Sequence, residues 1–340
     1  MTTEFWAALG RSAINTVVLH TIDAIAMTAT LDALGPIFLL VLLGFALQRW
    51  QFPGDGFWPL AERFTYYLLF PALLIHNLAP AHFAGVAVSD IVLLVVTMLL
   101  VATAMLVAVR HWVSATPAAF TSFYQGGIRF NTYVGLAAVN QLYGDQGMVV
   151  AAVTIAIMIP LINVLCVLIF AFYGGQGEKV SWGATAMQIA RNPLILGCVI
   201  GVLLNVSGIG LPFWSRPALG ILSQAALPVG LLAVGFALNL RALRGAIAPL
   251  GWACVAKFLA LPLVALMLAR IWGAEPLVTQ VLILFAALPT ASSSYILARQ
   301  MGGDAPLMAG IITAQTLLAM ATLPITLMLY PLLGLSLGTG

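Results

Sequence analysis

An arginine stands inside a long apolar stretch, where an isolated charge is costly. The local sequence Gln-Gly-Gly-Ile-Arg-Phe-Asn-Thr-Tyr places Arg129 after Gly126 and Gly127 and before Asn131 and Thr132. A cation at the centre of a membrane span costs about 2.5–3.5 kcal/mol on insertion scales, so such residues are paired or functional. Arg129 therefore either binds an anion or lies close enough to a span end for its guanidinium to reach the membrane surface.

A second polar segment interrupts another apolar stretch. The sequence Pro-Thr-Ala-Ser-Ser-Ser begins at Pro289 and places a proline and four hydroxyls at its middle. Proline removes a helical hydrogen bond, and the freed backbone groups survive in a membrane only inside protein or beside a watery cavity. Helix N-termini at such breaks present free N–H groups that suit a carboxylate. The candidate substrate-binding residues are therefore Arg129, Asn131, Thr132, Pro289, Thr290, Ser292 and Ser293.

Other residues are candidates for coupling or gating. Lys257 is the other central cation, and a buried lysine can lose its proton and act as a neutral donor, so it either supports the helix bundle or takes part in coupling. Histidine is the residue type best suited to proton relay, and His76 either relays protons or is a satisfied histidine near a span end. Gly126 and Gly127 weaken the helix in the fourth apolar stretch and are candidates for gating. Every Asp and Glu lies near a predicted span end or in a loop, so we expect an anionic ligand to complement the central cations.

The amino-acid composition is that of a membrane protein. Of 340 residues, 62% are hydrophobic and 7% are charged, whereas a soluble domain carries about 25% charged residues. The net charge of +3 is spread singly along the chain, which argues against a nucleic-acid partner. The three cysteines lie far apart, the histidines and carboxylates are dispersed, and no nucleotide-binding motif occurs. We expect a polytopic protein of the cell (inner) membrane with no cofactor, metal site or enzymatic activity.

Cutting the chain at charge, Gly and Pro clusters predicts an all-α fold with ten membrane spans. They cover residues 32–50, 57–79, 90–112, 117–142, 147–173, 192–208, 215–240, 246–272, 276–299 and 305–331. Residues 1–31 form an N-terminal extension. It is either an interfacial helix, or translation starts at Met27 and the first 26 residues are rarely made.

The distribution of Lys and Arg predicts the orientation, since cytoplasmic loops are enriched in them. One side carries Arg49, Arg63, Arg110, Lys179, Arg191, Arg241, Arg244 and Arg299. The other side carries Arg11, Arg216 and Arg270. We therefore expect both termini outside the cytoplasm.

The chain contains an internal repeat. Pro36 and its neighbours align with Pro193, and residues 69–74, which contain Pro71, align with the segment around Pro228, both at an offset of 157. Five spans per copy is an odd number, so the second copy enters from the opposite face and the repeat is inverted, as in many transporters. The predicted organisation is repeat 1 at 32–173, a cytoplasmic loop at 174–191 and repeat 2 at 192–332.

Four motifs resemble the auxin efflux carrier (AEC) family, which includes plant PIN auxin carriers and bacterial proteins often labelled malate permeases. The motifs lie at residues 64–74, 129–135, 286–293 and 323–327. The resemblance implies ten helices in two inverted repeats, a scaffold domain from the first two helices of each repeat, and a transport domain from the rest. It also implies broken helices four and nine that cross beside the substrate, with Asn131 and Pro289 at the crossover, and homodimers formed through the scaffold.

One departure from the plant carriers limits the resemblance. They have a proline in the fourth-helix break, where this chain has Phe130 and Asn131, so auxin is not inferred as the substrate. We expect a secondary transporter of small organic anions or carboxylates, active or facilitated, that works by alternating access with H⁺ as its candidate coupling ion. The alternatives are a sodium-coupled organic anion symporter of the bile-acid type and a ligand-sensing protein that does not transport.

Overall fold

The computed structural model describes residues 32–54, 56–81, 88–113, 116–173, 183, 186–187, 190–245 and 247–329. The predicted extension at 1–31 and most of the predicted loop at 174–191 lie outside these residues. In the described part of the chain the regular structure is helical, without strands.

The helices follow the predicted stretches within a few residues. The first half contains α1 (Asp32–Arg49), α2 (residues 57–78), α3 (Val88–Ala108), α4 (Pro117–Ile128), and α5 and α6, which share the stretch Thr132–Tyr173 and are separated at Gly144. The second half contains α7 (Pro193–Val206), α8 (Ser215–Phe236), α9 (Ile247–Ile271), α10 (Pro276–Ala287), α11 (Ser293–Gln300) and α12 (Ala305–Met328). A helical turn, Arg110–Val113, follows α3, and a 3₁₀ turn, Leu240–Arg244, precedes α9.

Side-chain caps and prolines set several helix starts. The Thr116 hydroxyl accepts a hydrogen bond from Ala119 N at 3.2 Å, immediately before a proline at the first position of α4. The Asp304 carboxylate accepts one from Leu307 N at 2.9 Å at the start of α12. A side-chain oxygen that accepts from the first turn satisfies a backbone donor that the helix leaves free, and proline suits the first helical position.

Two helices contain a π-helical turn that ends two residues before a proline. The turn Thr65–Leu69 in α2 precedes Pro71, and the turn Ala256–Ala260 in α9 precedes Pro262. Proline lacks the N–H that would bond to the carbonyl four residues earlier and clashes with that carbonyl, so the preceding turn widens. Lys257 lies in the second of these turns.

The exposed surface is apolar. Within the described residues, six helices are long and apolar enough to cross a membrane, and α7 and α10 are shorter apolar helices. Large apolar side chains remain exposed around the molecule; Leu203 is 62% exposed and Met267 is 61% exposed. Such a surface is stable in lipid, and the protein is a multi-pass membrane protein.

The helices pack in two groups. In the first group α2 lies between α7 and α8, and α1 crosses α8. The second group contains α3, α4, α9, α10, α12 and the α5–α6 stretch Thr132–Tyr173, which contact one another, with α11 packed on α12. Phe70 of α2 stacks on Tyr133 of α5, with ring centroids 4.6 Å apart, and so joins the two groups.

Candidate functional site

Two helix breaks meet at the centre of the second group. Helix α4 ends at Ile128, and the next helix begins at Thr132; α10 ends at Ala287, and α11 begins at Ser293. Asn131 N donates a hydrogen bond of 2.7 Å to the carbonyl oxygen of Pro289, so one break satisfies a backbone group of the other. Each break lies inside one of the two polar segments noted in the sequence. The α4 break begins at Arg129, two residues after Gly127.

A buried glutamine of α12 holds the crossing together. The Gln315 side chain accepts from Thr290 N at 2.9 Å and donates to the carbonyl oxygens of Gly126 and Ala253, both at 3.0 Å. Gln315 is fully buried. Backbone groups freed at a helix break need such a partner wherever they are buried in protein away from water.

Asn131 acts as a helix cap. Its side-chain oxygen accepts hydrogen bonds from Tyr133 N at 3.0 Å and Val134 N at 3.2 Å, at the first turn of α5. The side chain is 3% exposed. The structure therefore uses this amide oxygen to start α5, and it is not free to contact a substrate.

Arg129 points into a cavity between the breaks. Its guanidinium donates to the Asn163 amide oxygen and to the Ser293 hydroxyl, both at 3.3 Å, and lies beside the Cys166 thiol. The cavity has a volume of about 80 Å³ and is lined by Tyr66, Arg129, Phe130, Thr132, Ile159, Ile162, Asn163, Asn192, Leu194, Ala291 and Ser293. A volume of this size holds a few water molecules or one small carboxylate-bearing group.

The cavity lining carries a cation. Among the described residues that line it, Arg129 is the ionised side chain, and its two hydrogen-bond partners there are neutral. Guanidinium has five N–H donors in a planar fork, so donors remain for a carboxylate. Asn192 donates to the Tyr66 hydroxyl at 3.1 Å, which fixes both polar side chains on the wall opposite the breaks.

The structure brings Arg129, Thr132 and Ser293 to this cavity and assigns other contacts to the remaining predicted residues. Thr290 is fully buried; its hydroxyl lies 3.2 Å from the Ser294 hydroxyl and donates to the Gln125 carbonyl at 3.5 Å. Ser292 donates to a carboxylate oxygen of Glu62 at 2.8 Å. Glu62 lies near the start of its predicted span, as expected, and α2 brings its carboxylate to the start of α11.

The residues proposed for coupling or gating lie outside the cavity. Lys257 is 1% exposed in the π turn of α9, on a segment that contacts α4. His76 lies half-buried beside Gly220, and its Nδ1 is buried without a hydrogen-bond partner among the described residues.

Gly126 and Gly127 lie in the last turn of α4, before the break. A Cβ at Gly126 would come within 2.6 Å of Ile311 Cγ2, and one at Gly127 would come within 2.9 Å of Leu106 Cδ1. These glycines permit close helix packing, while the backbone opens after them, at residues 129–131.

Sequence reasoning missed Tyr66, Asn163, Asn192, Gln315 and Glu62. Asn163 and Gln315 are isolated amides in apolar stretches, and an amide at that depth marks an interior contact or a functional site. The sequence alone could therefore have identified Asn163 and Gln315 as candidates. Tyr66 and Asn192 meet across 126 residues of chain, a pairing that the sequence does not indicate.

Comparison with known proteins places the chain among transporters. Residues 29–327 match the family model described as "Membrane transport protein". The chain is 29% identical over 309 residues to a "Putative malonate transporter" of Rhizobium meliloti (strain 1021), covering 87% of this chain and 93% of the relative. It is 25% identical over 295 residues to an "Uncharacterized transporter" of Methanothermobacter thermautotrophicus, covering 85% and 94%. The family model spans most of the chain, and the protein belongs to the membrane transport protein family, the AEC family that its motifs resemble.

Proposed function

We propose that the protein is a secondary transporter of small organic anions, and that Arg129 binds the substrate carboxylate. The observation that carries this proposal is the guanidinium in a cavity between two helix breaks, with neutral hydrogen-bond partners among the described residues. An arginine that forms hydrogen bonds of 3.3 Å to an amide and a hydroxyl gains more from a carboxylate, because charge-assisted bidentate bonds are shorter and about twice as strong.

The cavity walls favour a short, polar anion. Thr132 and Ser293 line the cavity together with Arg129, and Asn163, Asn192 and Tyr66 add further polar side chains to the lining. The lining also contains the apolar side chains of Ile159, Ile162 and Leu194, which suit the short carbon backbone of a small organic anion. A relative that is called a putative malonate transporter fits this chemistry, and malonate is our first candidate substrate.

Alternating access supplies the transport step in this proposal. In this proposal α1, α2, α7 and α8 form the scaffold, as the family resemblance implies, and the second helix group, with the crossing and the cavity, moves against it. The cavity is lined from both groups, by Tyr66 and Asn192 on one side and by Arg129 and Ser293 on the other. Movement of one group past the other would therefore open and close the binding site.

The contact between Glu62 and Ser292 joins α2 to the α10–α11 break. In a moving transport domain this hydrogen bond would have to break and reform in each cycle. The cell-membrane location, the external termini and the homodimer of the sequence analysis belong to this proposal as well.

Lys257 is the candidate coupling residue. It is a fully buried amine next to the α4 segment that ends at the break, and a proton gained or lost there changes the charge of the moving group. His76 remains a second candidate for proton relay, while Gly126 and Gly127 fit a packing role better than a gating role.

Counterflow in proteoliposomes tests the proposal. Purified protein is reconstituted with unlabelled malonate inside, and radiolabelled malonate is added outside in sodium-free buffer. We expect trapped label to rise above that of empty liposomes, and external malonate, but not choline or glycerol, to compete. Flux that requires sodium would instead indicate the symporter of the bile-acid type, and thermal stabilisation by malonate without flux would indicate a ligand sensor.

A further inference from the structure

A second cavity lies at the ends of α1 and α8, away from the helix breaks. Its volume is about 450 Å³, and its lining shares no residue with the lining of the Arg129 cavity. The residues that line it are Phe45, Gln48, Arg49, Gln51, Leu238, Asn239, Leu240 and Arg241.

The crossing of α1 and α8 creates this space. A Cβ at Gly44 would collide with the carbonyl oxygen of Leu232, and one at Gly235 would collide with the carbonyl oxygen of Val41, so the two backbones touch there. Beyond the crossing, α1 ends at Arg49 and α8 ends at Phe236, and the cavity lies between the segments that follow. Gln48 Nε2 donates to the Leu238 carbonyl at 3.0 Å and holds the floor of the gap.

The lining is cationic and rich in amides. Arg49 and Arg241 supply two guanidinium groups, and Gln48, Gln51 and Asn239 supply amides, while no carboxylate occurs among the described residues that line the space. The Arg49 guanidinium lies 5.2 Å from the centroid of the Phe45 ring, which orients it along the wall. Arginine stays charged at any physiological pH, so the cavity holds two positive charges.

We propose that this cavity binds a phosphate group between Arg49 and Arg241. Guanidinium groups bind phosphate through paired N–H donors, and phosphate oxygens outnumber those of a carboxylate, which suits two arginines and neighbouring amides. The site shares no lining residue with the Arg129 cavity, so its binding test does not depend on the proposed transport function.

Two sources supply this chemistry. The cavity lies at a span end on the side that the Lys and Arg distribution assigns to the cytoplasm, where both anionic lipid headgroups and soluble organic phosphates occur. Trp50 is 70% exposed and Phe52 is 61% exposed beside the cavity, and aromatic side chains at this depth contact the headgroup region.

A bound phosphate would connect α1 to the second helix group. Asn239 N donates to the Thr313 hydroxyl of α12 at 2.9 Å, so the segment that carries Arg241 is already attached to that helix. A ligand between Arg49 and Arg241 would extend this attachment to α1, and we expect it to raise the midpoint of thermal unfolding.

Native mass spectrometry and thermal unfolding of the full-length protein in detergent test the site. One arm adds phosphatidylglycerol, with phosphatidylethanolamine as the zwitterionic comparison; the other adds glycerol 3-phosphate, with glycerol as the comparison. We expect at least one phosphate compound to bind and to raise the unfolding midpoint, and we expect the double variant Arg49→Gln, Arg241→Gln to bind it at least about tenfold more weakly, because two charge-assisted contacts are lost.

The matched control is Arg244→Gln, an exposed arginine of the same turn that does not line the cavity. It should retain wild-type binding. Binding of the lipid alone identifies a headgroup site, and binding of glycerol 3-phosphate identifies a site for soluble phosphates. Three results would overturn the proposal: equal binding by wild type and the double variant, a loss of binding in Arg244→Gln equal to that in the double variant, or no binding in either arm. The arginines would then serve only to complement the negative ends of the helix dipoles at the helix C-termini. If the double variant is not monodisperse, the two single variants carry the same comparison.

Discussion

Gln315→Met should strongly destabilise the protein, because this side chain satisfies three backbone groups at the helix crossing. Thr290 N loses its acceptor, and the carbonyl oxygens of Gly126 and Ala253 lose their donor. Methionine has nearly the same length and volume, so the change removes hydrogen bonds with little change in packing.

The expected cost follows from the number of bonds. Hydrogen bonds measured inside membrane proteins average about 0.6 kcal/mol, which gives a lower bound of about 2 kcal/mol for three. A buried group left without a partner costs about 1–3 kcal/mol, which gives an upper bound of about 9 kcal/mol. With an unfolding entropy of about 2.1 cal/mol/K per residue, a chain of this length should lose about 3–13 °C in its unfolding midpoint.

The assay is thermal unfolding of the purified protein in detergent, followed by intrinsic fluorescence and by gel filtration of heated samples. Gln300→Met is the matched control, since Gln300 is exposed at the end of α11. Its midpoint should stay within about 1 °C of wild type. A Gln315→Met midpoint equal to that of the control would refute the conclusion that Gln315 holds the crossing together.

Three further predictions concern packing, capping and coupling. Gly235→Ala should prevent the close approach of α1 and α8 and abolish the monodisperse gel-filtration peak, whereas Gly251→Ala, where a Cβ meets nothing within 4 Å, should leave that peak unchanged; intact folding of Gly235→Ala would contradict the contact. Asn131→Ala should cost about 1 kcal/mol of stability through loss of the α5 cap, and the neutral capping residue in Asn131→Ser should restore part of it. Unfolding midpoints measure both changes, and equal midpoints for wild type and Asn131→Ala would be the contrary result. Lys257→Met should not lower the unfolding midpoint, because a buried cation is often replaced by an apolar side chain without loss, but it should remove the pH dependence of counterflow; an unchanged pH profile would exclude Lys257 from coupling.

The sequence predicted the elements better than the contacts. The breaks after Ile128 and Ala287 were predictable because glycine, proline, an arginine and hydroxyls interrupt apolar stretches, and lipid does not tolerate such residues on a continuous exposed helix. The placement of Arg129 inside the protein, beside a break, was predictable because a charge at that position in an apolar stretch is costly in lipid.

The roles of individual polar side chains were less predictable. Asn131 looked like a ligand contact, but its oxygen caps α5, and a cap depends on where the helix restarts. Glu62 lies near the start of a predicted span, and only the packing of α2 against the second break brings it to Ser292. Asn163 and Gln315 reach their partners through tertiary packing, which no local pattern specifies.

Transport by Arg129 variants tests the central claim most directly. Counterflow of radiolabelled malonate should fall to the level of empty liposomes in Arg129→Ala, because the cavity then loses its positive charge, and should recover in part in Arg129→Lys, which restores the charge without the planar fork. The unfolding midpoint of each variant shows that the protein remains folded, and Arg244→Ala provides a matched loss of an exposed arginine that should transport like wild type. Counterflow by folded Arg129→Ala at the wild-type rate would contradict the assignment of the cavity as the anion site.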